Sequence, residues 1–260
     1  MLFKDQLNQT ITLRNLPKRI VSLVPSQTEL LFDLGLEHEI IGITKYCLHP
    51  AAKVKQKMLV GGTKNFDIEL IKQLNPDLII GNKEENEQTG IETLKNFFPV
   101  WMSDIATLED AIDMILKVGT VVGKAPLAQE LAANIQKAFA TLAPNPIPLK
   151  TVAYFIWRKP LMVAASATFI DDMLRRAGFS NVFQSLSRYP IITSLQLKQA
   201  DPDFIFLSSE PYPFREKHLT EFRSLCPNAK ILLVNGELFS WYGSRLQSSP
   251  AYFSKLAPIG

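Results

Sequence analysis

Short apolar runs bounded by turn residues alternate with stretches of helical periodicity along this chain. Arg19-Ile20-Val21-Ser22-Leu23-Val24 is β-branched and apolar throughout, the pattern of a strand buried on both faces of a parallel sheet. Ser26 and Glu29 follow at capping-box spacing before Leu30-Leu31-Phe32, so a helix is predicted there, ending at Gly35. Glu39-Ile40-Ile41-Gly42-Ile43-Thr44 is the next predicted strand and Ile68 to Leu74 the next helix. Asp77-Leu78-Ile79-Ile80-Gly81 is a strand, a helix is predicted to open at Asn82-Lys83-Glu84-Glu85-Asn86, and Pro99-Val100-Trp101-Met102 closes the first half, with Trp101 in the core. Residues 1–14 alternate weakly and predict an edge hairpin or strand.

The second half repeats this grammar. Thr151 to Ile156 is a strand, and Ser166-Ala167-Thr168 opens a helix that ends at Gly178. Leu197-Lys198-Gln199-Ala200-Asp201-Pro202-Asp203-Phe204-Ile205 echoes Leu70-Ile71-Lys72-Gln73-Leu74-Asn75-Pro76-Asp77-Leu78-Ile79. In both, Pro-Asp stops a helix and starts an apolar strand. Lys230 to Val234 matches the strand at Val100, and the last 20 residues read as a loop and helix.

Between the halves, Thr107 to Leu142 carries an apolar stripe at helical spacing, Leu127, Leu131, Ile135 and Phe139 among it. It weakens from Gly119 to Pro126 and ends before the proline-rich segment 143–148. The predicted fold is α/β: two lobes, each with a mostly parallel central sheet flanked by helices, joined by one long backbone helix. The predicted boundaries are an N-terminal lobe 1–106, a helical connector 107–143 and a C-terminal lobe 144–260. Such lobes form a cleft, with ligands beyond the carboxyl ends of the strands.

Composition narrows the function. A chain of 260 residues, 47% hydrophobic, can bury two small cores. Net charge is +3 with Lys and Arg scattered among acids, which is no nucleic-acid footprint. No apolar run reaches 18 residues, and the first ten residues lack the regions of a signal peptide. As written, the chain is expected in the cytoplasm. Cys47 and Cys226 are expected as free thiols.

The predicted strand ends carry the candidate chemistry: Ser26, Gln27, Tyr46, Cys47, Asn82, Lys83, Trp157, Arg158, Ser209, Glu210, Ser240, Trp241 and Tyr242. Tyr46, Trp157, Tyr189, Trp241 and Tyr242 would wall a large planar ligand; each is equally readable as a core or rim aromatic. Arg158 and Arg245 could hold ligand carboxylates or amides bidentately, or pair with Glu210 or Glu237. Cys47 and His49, two apart in one loop, are soft-metal ligand types, but two ligands make no site and no metal is assigned. His218 lies in the other half, and His38 is expected in solvent.

Over about Lys18 to Leu256 the chain resembles the helical-hinge substrate-binding proteins of ABC importers, the group serving cobalamin, haem, siderophores and metal ions. Ile20-Val21-Ser22-Leu23-Val24-Pro25-Ser26-Gln27-Thr28-Glu29-Leu30-Leu31 with Gly35, Gly61-Gly62, Asp67-Ile68-Glu69 and Pro76-Asp77-Leu78-Ile79-Ile80 carry the resemblance. It is greatest to the cobalamin-binding branch. The resemblance implies ligand-packing aromatics at Tyr46, Tyr189 and Phe239 to Tyr242. Two tryptophans of that branch are replaced here by Thr63 and Asn82. It further implies an acid in each lobe that docks onto importer membrane subunits. Glu69 matches the first; the second falls near Leu195-Gln196.

No Gly-rich phosphate loop, Gly-x-Ser-x-Gly elbow or paired helical His is present in the sequence. The expectation is therefore a monomeric binding protein, not an enzyme, that needs no cofactor. Its small-molecule ligand would be cobalamin, haem or another metal chelate. The alternatives are a non-exported cytoplasmic sensor or storage protein of the same fold, or an enzyme using Cys47 as a thiolate beside His49. A periplasmic location, usual for the resembled family, is the alternative to the cytoplasm.

Overall fold

A computed structural model describes residues 1–142 and 149–256. The proline-rich segment and the predicted boundary at 143/144 lie outside the described residues. The chain divides into two compact units. Unit 1 takes Met1–Ile105, Glu109–Gln136 and Tyr242–Arg245; unit 2 takes the other described residues.

Unit 1 opens with an antiparallel hairpin, β1 (Leu2–Lys4) and β2 (Thr10–Thr12). Its central sheet is built from β3 (Ile20–Ser22), β4 (Ile40–Ile43), β5 (Met58–Leu59), β6 (Leu78–Asn82) and β7 (Val100–Ser103). These lie in the order β5-β4-β3-β6-β7, every pairing parallel. Helices α1 (Pro25–Asp33), α2 (Ala51–Val54), α3 (Ile68–Leu74) and α4 (Gln88–Lys95) occupy the connections. Val21, Ile79, Val100 and Met102 of the strands and Leu23 just after β3 bury against Ile71, Ile91 and Leu94 of the helices, and the alternate positions Ile20, Ile80 and Trp101 are buried too. That two-sided burial is why the strands read as continuous apolar runs.

The central helical run breaks where its periodicity failed. Helix α5 (Leu108–Val121) ends before Gly123, whose φ of +71° suits glycine, and α6 (Ala125–Phe139) restarts beyond it. The long backbone helix is therefore two helices, each about 22 Å long at ~1.5 Å per residue. At Gly119 an added Cβ would lie 2.2 Å from the Cβ of Ala128, so glycine permits their close approach.

Unit 2 has β8 (Lys150–Trp157), β9 (Met162–Ala164), β10 (Phe179–Asn181), β11 (Phe204–Ser208) and β12 (Lys230–Val234). The order β10-β8-β11-β12 is parallel throughout, and β9 adds antiparallel to β8. Helices α7 (Phe169–Arg176), α8 (Ser194–Ala200), α9 (Leu219–Leu225), α10 (Glu237–Ser240) and α11 (Ser249–Leu256) complete it. Ala153, Phe155, Ile205, Leu207 and Phe222 centre its core. The short β5, β9 and β10 and the helices α2, α9 and α10 were not predicted; unlike equally short predicted elements, most of them lack an apolar run bounded by capping or Pro-Asp signals.

The internal echo has a physical cause. Helix α3 ends at Asn75 and α8 at Asp201, both left-handed, since the following proline disfavours the helical region. The next acid then ties the start of a strand. Asp77 accepts the backbone N–H groups of Lys18 and Arg19 at 2.8 and 2.9 Å, and Asp203 accepts that of Thr151 at 2.8 Å. Asp203 also takes the Thr151 hydroxyl and the Lys150 ammonium.

The Thr151 backbone bond foremost holds the Asp203 carboxyl below the usual carboxylate range. A depressed carboxylate stabilises the fold above its unfolded pKa of about 3.9, and that contribution is lost as pH falls through the native value. Asp203→Asn should therefore be less stable than the wild type at pH 7 in urea titrations, with the difference narrowing below about pH 4.

Candidate functional site

In a parallel sheet the ligand crevice lies where strand order reverses. In unit 1 the reversal falls between β3 and β6, in unit 2 between β8 and β11. The carboxyl ends of these strands carry half of the residues singled out in the sequence, and the structure sorts the candidates into scaffold and surface.

At the unit 1 reversal, buried polar side chains bond to one another, while Gln27 Oε1 is buried with no hydrogen-bond partner among the described residues. Asn86 accepts from the Asn82 N–H at 2.8 Å and donates to the carbonyls of Leu23 and Thr63. Asn82 Oδ1 accepts from the N–H groups of Glu84 and Glu85 at 2.8 and 3.0 Å, while its Nδ2 donates to Ser103 Oγ at 3.0 Å. Gln27 Nε2 donates to the same Ser103 oxygen at 2.5 Å. Asn82 therefore forms a turn in place of the predicted helix start, and α4 opens later, capped by Glu87. Gln27 and Asn82 are scaffold, and Ser26 is buried with them. The predicted capping box at Ser26 is absent: Val24 is the N-cap, with no side-chain cap, and Pro25 opens the helix.

Glu29 instead receives Arg245 bidentately, at 2.9 and 2.6 Å. Ser244 donates to Asp33, and the Tyr242 hydroxyl donates to Glu85 at 2.5 Å. Burial foremost, then the Glu85 charge, push the Tyr242 pKa well up, so its hydroxyl stays protonated. The segment 242–245 is thus inlaid in unit 1. Arg245 is a structural ion-pair partner of Glu29, a pairing outside the sequence expectation of Glu210 or Glu237. Sequence spacing gave no sign of this pair, since 216 residues separate them.

Cys47 is buried, its sulfur 3.1 Å from the Thr28 hydroxyl and 3.3 Å from that of Thr44. Burial foremost raises its thiol pKa, so it is neutral at pH 7, the opposite of an activated nucleophile. His49 is half-buried in the same loop. Among the described residues no group of three or more His, Cys, Asp or Glu is arranged to hold a metal ion. Tyr46 differs from its neighbours. It is 51% exposed, with the Lys45 ammonium 5.2 Å from its ring centroid. Lys83 is exposed and paired with Asp104 at 2.6 Å.

In unit 2, Trp157 stands 40% exposed at the end of β8, its indole N–H on the Lys159 carbonyl and its ring edge-on to Tyr212 at 5.5 Å. Tyr212 was missed because it lies in a loop whose prolines obscure any period. Arg158 pairs with Glu221 at 2.8 Å, not with Glu210 or Glu237. His218 is buried; its Nδ1 accepts the Arg215 N–H at 2.9 Å, and burial foremost lowers its pKa. Glu210 accepts from the Ser240 hydroxyl at 2.6 Å and the Trp241 indole at 2.9 Å, so Ser240, Trp241 and Glu210 are held by one another. Trp241 and Tyr242 are buried and form no open wall. Ser209 is exposed and accepts the Gly236 N–H; Tyr189 is half-buried.

The repeat also aligns two surface positions. Glu69 is the second residue after the α3 N-cap Asp67, its side chain exposed and paired with Lys72. Leu195 is the second residue after the α8 N-cap Thr193 and is 63% exposed.

Two outcomes test this sorting. Arg245→Ala strands a half-buried Glu29 carboxylate and should cost about 3 kcal/mol by chemical denaturation, part of which Glu29→Ala in the same chain restores. A disulfide thiol reagent at pH 8 should titrate neither Cys47 nor Cys226 in the native protein and both in denaturant, since burial raises both thiol pKa values.

Comparison with known proteins agrees with this architecture. The vitamin B12-binding protein of Pectobacterium carotovorum subsp. carotovorum is 26% identical over 240 residues, 89% of this chain and 85% of its own. The periplasmic vitamin B12-binding protein BtuF of Vibrio cholerae has a TM-score of 0.79 at 20% identity, covering 94% of this chain and 99% of that one. The periplasmic heme-binding protein RhuT of Roseiflexus sp. RS-1 has a TM-score of 0.80 at 20% identity, covering 92% and 99%. The model of the periplasmic binding protein family matches residues 20–224, most of the chain, and this protein belongs to that family.

Proposed function

We propose that this chain is the ligand-capturing component of an ABC importer and that its cargo is a cobalamin-like or other metal chelate, haem included. The observation that carries the reading is the exposure of Tyr46 and Trp157 at the carboxyl ends of β4 and β8, where parallel sheets bind ligands. Large aromatic faces left in solvent suit a flat, largely apolar partner. Tyr189 is a third candidate contact. Several candidate polar groups bond within the frame, Asn82 to Ser103, Arg158 to Glu221 and Ser240 to Glu210, so recognition rests on stacking and shape more than on a ring of free polar groups. The names of the relatives, vitamin B12-binding and heme-binding, support the same ligand class.

In this reading the protein works as a monomer, carries its metal only as cargo and catalyses no reaction. Glu69 would meet the importer's membrane subunits, while the corresponding position of unit 2 offers Leu195. Its place is the periplasmic side of the membrane, which cell fractionation checks.

Visible absorption of protein isolated from its own host, followed by titration with cobalamin and haem, tests the ligand. Saturable binding of one of them is expected, weakened about tenfold by Tyr46→Ala and by Trp157→Ala, the loss of roughly one aromatic stacking contact each. Binding of neither, or affinities unchanged in both variants, would refute the reading.

A further inference from the structure

The segment 40–66 holds five lysines, Lys45, Lys53, Lys55, Lys57 and Lys64, and no acid. It also holds four of the molecule's large exposed apolar side chains, Tyr46, Leu48, Met58 and Leu59, each about half exposed or more. The fold gathers this stretch at one margin of unit 1. Strand β5 is the outermost strand of the sheet, and the Lys45 N–H donates to the Gly61 carbonyl at 2.8 Å, tying the loop after β4 to the end of β5. Both side chains of β5 are exposed, although successive residues of a strand point to opposite faces.

We infer that this margin is a surface for anionic lipid headgroups, with Met58 and Leu59 entering the interface and Lys55 and Lys57 lying over the phosphates. Lysines interleaved with exposed apolar residues are the chemistry of interfacial binding, in which apolar burial and attraction to anionic lipid act together. A lysine stem can lie along apolar surface while its ammonium reaches a headgroup. Charge favours this occupant over a protein that would present arginines. Acids flank the stretch rather than lie in it: Glu37 pairs with Lys53 at 2.6 Å while its carbonyl takes Lys57, Asp67 caps α3, Glu69 pairs with Lys72, and Glu39 precedes β4. Among the described residues of 40–66, no acid opposes a phosphate. Lys53, neutralised by the Glu37 carboxylate, is left out of the contact; Lys57 bonds only to a neutral carbonyl, so it keeps its charge and has further N–H donors for a phosphate. The inference does not depend on the ligand reading, because Lys55, Met58 and Leu59 are not among the candidate ligand contacts.

The test is co-sedimentation with phosphatidylcholine vesicles, with and without about one-third phosphatidylglycerol, at low and high salt. The full chain should bind the anionic vesicles, bind neutral ones far less, and dissociate as salt rises. Lys55→Glu with Lys57→Glu should weaken binding tenfold or more, and Met58→Asp with Leu59→Asp should also weaken it, while cobalamin and haem titrations of both variants match the wild type. Absence of binding to anionic vesicles, equal binding to neutral ones, or a charge-reversed variant that binds like wild type would overturn the inference. So would a lipid-free dimer in sedimentation velocity that Met58→Asp with Leu59→Asp dissolves, since the margin would then cover a second copy.

Discussion

Where a parallel strand ends, its last backbone groups leave the ladder and need partners, and a buried group without one costs about 1–3 kcal/mol. In unit 1 that constraint is met by two side-chain amides. Asn86 closes on the N–H of Asn82 and on the carbonyls of Leu23 and Thr63, joining the ends of β3 and β6 and the loop beyond β5. Asn82 turns the chain after β6 and reaches Ser103 at the end of β7, where Gln27 of α1 also arrives. One network fixes three strand ends and the loop beyond β5, so the positions of the α1 N-terminus and of the loop 83–87 follow from it.

That solution also engages many of the candidate site's polar groups. Residues whose chemistry marks them as binding groups are consumed in holding the frame: Gln27 and Asn82 by Ser103, Arg245 by Glu29, Arg158 by Glu221, Ser240 and Trp241 by Glu210. Tyr46 and Trp157 escape because their rings stand outside the sheet ends, braced by a cation in one case and an aromatic edge in the other. The frame is polar and closed; the surface it presents is aromatic. Thr63 and Asn82, where the resemblance to the cobalamin branch implies tryptophans, both belong to this network: the Thr63 carbonyl serves it and Asn82 lies inside it.

The Arg245–Glu29 pair makes the same point for the C-terminal segment. Tyr242 to Arg245 is held in unit 1 by Glu85, Asp33 and Glu29, and Gly243 packs where an added Cβ would stand 2.4 Å from the Ser26 carbonyl oxygen. The identity of these residues is plain in the sequence, but pairing across more than 200 positions leaves no local periodicity to read.

The sequence by itself determined the alternating strands and helices, their parallel class and the duplication. These rest on local causes: apolar runs long enough for two-sided burial, and Pro-Asp pairs that end a helix and tie a strand. It also determined the family, through motifs along most of the chain. Tertiary structure alone decided which candidate side chains face solvent and which serve the frame. A serine, asparagine or arginine looks the same in sequence whether its hydrogen bonds go to a ligand or to another strand end. Only the packed chain brings Asn82 to Ser103 and Arg245 to Glu29, and by satisfying them leaves Tyr46 and Trp157 as the open surfaces.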